Sequence, residues 1–110
     1  MSAAIPDTTR ADAARRSEHV VLLDVREQEE WDAGHAPGAR HVPLGEVRTE
    51  LFPVGAAVMC ICRSGRRSGD ATHRLRAAGI DAVNVAGGML AWEAADLPVV
   101  RDDGRSGTVA

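Results

Sequence analysis

The sequence predicts an α/β protein with a central parallel sheet and helices on both faces. Three observations carry that expectation. The runs "HVVLLDV" (19–25), "AAVMCIC" (56–62) and "DAVNVAG" (81–87) read as strands buried on both faces. Segments of helical character alternate with these runs, the order that a parallel sheet needs for its crossovers. Asp24, Arg26 and Cys62 all fall at the carboxyl ends of their strands, the edge at which open α/β sheets bind ligands.

The remaining elements follow in chain order. Residues 7–17, "DTTRADAARRS", read as a short helix with Asp7 or Thr8 as its N-cap. "EQEEWDAG" (27–34) reads as one or two helical turns stopped by Gly34. "HAPGARHVPL" (35–44) has two prolines and a glycine, which makes it loop with a short strand near His41 and Val42. "GEVRTELF" (45–52) is expected to be helical up to Pro53. "SGDATHRLRAAG" (68–79) is a helix with Gly79 at its C-terminal cap, and "GMLAWEAADL" (88–97) is the last helix, released by a turn at Gly87 and Gly88. Residues 1–100 form one domain, and 101–110, polar and glycine-containing, are expected to be a flexible tail.

Composition bounds the function. A chain of 110 residues suits one domain, and its single Phe, two Trp and no Tyr leave the core to Val, Leu, Ile and Ala. A net charge of -3 argues against nucleic-acid binding. No apolar run approaches the ~18 residues of a membrane span. "MSAAIPDTTRADAARR" has no apolar stretch of the secretory kind, so a cytoplasmic location is expected. Two cysteines make a poor disulfide framework and in a reducing compartment are free thiols.

The stretch "CICRSGRRSGDAT" (60–72) carries the chemistry. A tight turn from strand to helix converges successive backbone N–H groups into an anion cradle. Gly65 permits the positive φ such a turn uses. A thiol at its first position, beside Arg63, Arg66 and Arg67, is shifted toward thiolate. Cys62 is therefore the candidate nucleophile. Its plainer reading is a small hydrophobe at a strand end. Arginines at a helix start oppose the helix dipole, however, which favours a resident anion. Cys60 reads as a core residue, with a resolving thiol as the minority alternative. Cys-x-Cys with His73 supplies too few residues for a zinc site.

"LLDVREQEEWDAGHAPGARHVPL", "CRSGRRS" and "AGGMLAW", in that order and spacing, resemble a single-domain rhodanese-like sulfurtransferase over roughly Ile5 to Pro98. The resemblance implies a parallel sheet flanked by helices and a sulfane sulfur carried as a persulfide on Cys62. It implies a small anionic sulfur donor such as thiosulfate, and cyanide, a thiol or a protein as acceptor, with no cofactor and no metal. Arg63, Ser64, Gly65, Arg66 and Arg67 match the loop around the outer sulfur. Asp24, Arg26 and Ser68 are expected to support that loop. Family members often have Asn at the position of Arg66, so this mouth is expected to be unusually cationic.

Two rivals remain. A cysteine phosphatase or arsenate reductase needs five residues between Cys and Arg. Only four separate Cys62 from Arg67, and the count from Cys60 to Arg66 places the nucleophile inside a strand. A non-catalytic sulfur carrier or interaction module is the other alternative. His35 is read as part of a structural turn, His73 as solvent-facing, Glu27 and Glu30 as helix surface, and Trp31 and Trp92 as anchors of helices to the sheet.

Overall fold

The structure, a computed structural model, describes residues 7–9, 12, 13, 20–53 and 55–110. Strands β1 (Asp7–Thr8), β2 (Val21–Asp24), β3 (Arg40–His41), β4 (Ala57–Ile61) and β5 (Asp81–Val85) form one sheet in the order β1-β5-β4-β2-β3. Every neighbouring pair is parallel. The helices are α1 (Gln28–Ala33), α2 (Arg66–Ala77) and α3 (Gly88–Ala94).

Strand alternation divides the core into two. Val58 and Cys60 of β4 join Leu23, Val25, Ala82 and, from α2, Ala71 and Leu75. Met59 and Ile61 point the other way, to Leu22, Val85 and, from α3, Met89 and Trp92. The sheet is thus covered on both faces, and β4 at its centre alternates into both cores. Trp92 is 2% exposed and donates from Nε1 to the Pro98 carbonyl at 2.8 Å. It anchors α3 to the sheet as expected.

Three expectations need correction. Asp7 and Thr8 are extended, not helical, and pair with Asn84 and Val85. Asp12 and Ala13 are helical, and Thr9 caps that turn, its Oγ1 accepting from Asp12 N at 3.2 Å. The rest of the expected 7–17 helix lies outside the described residues, as does His19. Residues 45–52 are not an α-helix but two 3-10 turns, Leu44–Glu46 and Thr49–Leu51. The buried residues there are Val47 and Phe52, while Leu51 is 39% exposed. A five-residue separation cannot put two side chains on one helical face, so the chain kinks between them. Helix α2 begins at Arg66 rather than Ser68, with Gly65 at φ 105° as its N-terminal boundary.

Residues 101–110, expected as a tail, fold back on the domain. Val100 pairs antiparallel with both His35 and Ser106. A turn closes from Arg101 N to the Arg105 carbonyl, and Thr108 N reaches the Ala33 carbonyl at 2.9 Å.

Candidate active site

Cys62 follows the last residue of β4 and is 1% exposed. The chain then turns through Arg63, Ser64 and Gly65 into α2. Gly65 N donates to Cys62 Sγ at 3.1 Å, and Ser68 Oγ lies 3.2 Å from the same sulfur. Burial alone would raise the thiol. Donation from Ser68 Oγ and from the amides of Ser68, Gly65 and Ser64 outweighs it, and Cys62 ends below the ordinary thiol range. Amide and hydroxyl donors thus converge on the Cys62 sulfur, and Ser68 Oγ reaches the sulfur itself.

The loop is fixed from behind by α3. Met89 N donates to the Cys62 carbonyl at 2.8 Å and Leu90 N to the Arg63 carbonyl at 3.0 Å. Gly88, at φ 56°, is what allows this approach, since a Cβ there would lie 2.6 Å from the Arg63 oxygen. On the other side Asn84 Nδ2 donates to the Gly65 carbonyl at 3.2 Å.

The three arginines part company. Arg67 forms a bidentate pair with Glu30, Nη1 to Oε1 at 2.6 Å and Nη2 to Oε2 at 2.8 Å. That pair, with donation from Glu27 N, holds Glu30 at about 2 against burial. Glu30 is thus not plain helix surface, and the carboxylate neutralises Arg67. Arg63 is exposed and donates from Nε to the main-chain oxygen of Ala110 at 3.0 Å. Arg66 is exposed and forms no ion pair among the described residues. The mouth is less cationic than three arginines imply.

Asp24 and Arg26 are both fully buried. The Asp24 carboxylate accepts from Arg26 N, Nε and Nη2 at 2.9–3.1 Å, and Nη2 also donates to the Gly34 carbonyl at 2.7 Å. This pair ties the end of β2 to the end of α1, which carries Glu30. His35 is 6% exposed, stacks on Trp31 at 3.5 Å, and has Nδ1 3.0 Å from the Trp31 carbonyl. His41 also stacks on the Trp31 ring, at 4.8 Å between centroids. The buried Trp31 thus anchors α1 through stacked imidazoles. His73 is exposed.

Cys60 is wholly buried, and burial pushes its thiol up to about 11. Sequence reasoning missed Asn84. The one hint was an amide set among Ala82, Val83 and Val85, which must find partners when buried, though the strand does not say which.

Residues 7–95 match the rhodanese-like domain family, and the chain belongs to it. A protein of Allochromatium vinosum named sulfurtransferase is 35% identical over 91 residues, covering 80% of this chain and 85% of its own length. The Synechocystis protein slr1261 is 37% identical over 90 residues, but there the match spans 79% of this chain and only half of the relative. The crystal structure of a rhodanese-related protein from Thermoplasma volcanium superposes with a TM-score of 0.80 at 28% identity, covering 86% of this chain and 97% of that one.

Proposed function

We propose that this chain is a sulfurtransferase that moves sulfane sulfur through a persulfide on Cys62. One observation carries the reading: a thiol at the carboxyl end of the central strand, held below its ordinary range by converging N–H and O–H donors. In the first half-reaction Cys62 thiolate attacks the outer sulfur of an anionic donor such as thiosulfate. A sulfur–sulfur bond forms to Cys62, the donor's own sulfur–sulfur bond breaks, and sulfite leaves with the electron pair. In the second, cyanide or an acceptor thiolate attacks the outer sulfur and regenerates Cys62 thiolate. Charge is conserved in both steps, so the cradle that held the thiolate serves the persulfide anion. Arg66, exposed and without an ion pair among the described residues, is the cation best placed to recruit the donor. The engagement of Arg67 by Glu30 disfavours the phosphatase alternative, which needs a guanidinium over a tetrahedral oxyanion.

Intact-protein mass after thiosulfate treatment without reductant tests this. The expected result is a gain of one sulfur, mapped to Cys62, removed by cyanide and absent in Cys62→Ser. An adduct on Cys60 would overturn the choice of nucleophile. No adduct, with turnover of a phosphate ester or arsenate, would move the chain to the rival class.

A further inference from the structure

Ser68 has one hydroxyl proton and two acceptors. Its Oγ lies 2.6 Å from Asn84 Oδ1 and 3.2 Å from Cys62 Sγ. Asn84 cannot flip to release it. Its Nδ2 already faces two oxygens, Asp7 Oδ1 and the Gly65 carbonyl, each at 3.2 Å. Both are acceptors, so the amide nitrogen must point at them and Oδ1 at Ser68. The strand pairing of Asp7 with Asn84 fixes the residue's place, and Asn84 is 9% exposed.

We propose that Asn84 is a positioning residue that competes with the Cys62 sulfur for the Ser68 proton and thereby sets how readily Cys62 stands as thiolate. With Cys62 as a thiol, S–H donates to Ser68 Oγ and Oγ–H donates to Asn84. When the sulfur loses its proton, the hydroxyl turns to the sulfur and Asn84 Oδ1 gives up its donor. The S–H bond is the one covalent bond that breaks, its proton passing to solvent base; the Ser68 hydroxyl keeps its own proton and changes only its rotor. When a second sulfur is loaded, the charge shifts outward by one sulfur–sulfur bond, about 2.05 Å. The inner sulfur is then neutral, and the hydroxyl returns to Asn84. The residue therefore acts against the free thiolate and not against the loaded state.

The role rests on Cys62 as nucleophile, but its test needs no sulfur donor. The measurement is the pH midpoint of iodoacetamide alkylation at Cys62, followed by peptide mapping. Asn84→Ala leaves the Ser68 proton to the sulfur, and the midpoint falls by about one pH unit, the equivalent of one charge-assisted hydrogen bond. Ser68→Ala raises it by about the same amount. In the Ser68→Ala background, adding Asn84→Ala shifts nothing further. If Asn84→Ala does not fold, Asn84→Ser, too short to reach Ser68, gives the same downward shift. A midpoint that rises or stays fixed on changing Asn84 overturns the proposal, because a merely structural amide would loosen the Gly65 turn and weaken the cradle. An equal downward shift with and without Ser68 overturns it as well. The expected shifts without any sulfur adduct would remove the transfer reading and keep this role; an adduct without the shifts would do the reverse.

Discussion

Cys60 and Cys62 stand two residues apart and pack into the same half of the core, yet their thiols move in opposite directions. Burial drives Cys60 up to about 11, with only Thr72 offering a hydrogen bond against it. Cys62 is scarcely more exposed, but four donations reverse the sign. Cys60 sits deeper than Cys62, but depth alone would raise both thiols and cannot give opposite signs. What separates them is that the backbone around Cys60 spends its N–H groups on neighbouring strands, whereas just past Ile61 the ladder ends and the turn's amides are free to face a sulfur. The donors to sulfur begin where the sheet stops.

The largest contrast should be chemical. At pH 7 about one part in ten thousand of Cys60 is thiolate, from its position four units below the midpoint. Alkylation of the native protein should therefore modify Cys62 at least about a hundredfold faster than Cys60, read by time-resolved peptide mapping. Comparable rates would erase the distinction.

Gly88→Ala attacks only one side of the comparison. The new methyl meets the Cys62 and Arg63 oxygens and requires a positive φ, so a loss of about 2–4 kcal/mol in denaturant stability is expected. The loop should shift and the alkylation midpoint of Cys62 rise, while Cys60 stays unreactive.

Glu30→Gln gives the smallest effect. Arg67 lies close enough to feel the Cys62 charge; freed of its carboxylate, it should lower the Cys62 midpoint by a few tenths of a unit, on the scale of a partly exposed pair. The same variant tests acid stability. Glu30 is lowered from 4.5 to about 2, so its contribution is complete above about 4.5 and is lost as pH falls toward 2. The Gln variant should lose that slope in acid unfolding curves.

The three central strands were legible because each is an apolar run. β1 was not: Asp7 and Thr8 are polar and carry no apolar pattern, though they pair with β5 and Asp7 Oδ1 also accepts from Asn84 Nδ2. The 45–52 segment misled because its apolar spacing resembles a helix until burial selects Val47 and Phe52. At the site, the cysteine, glycine and cradle could be read from one short stretch of chain. Glu30 and Asn84 could not be assigned to it, since Glu30 lies 37 positions from Arg67 and Asn84 lies 16 from Ser68. Neither spacing carries a local signal; only the sheet order brings them together. The count of arginines overstated the charge at the mouth for the same reason.

The peptide unit joining Arg63 to Ser64 has its oxygen bonded to Leu90 N, while its N–H serves the Cys62 sulfur. A peptide group polarised at one end becomes a stronger partner at the other. Charge on the sulfur therefore tightens the grip of that oxygen on α3, and loss of charge slackens it. The sulfur's surroundings and the start of α3 thus share one planar amide.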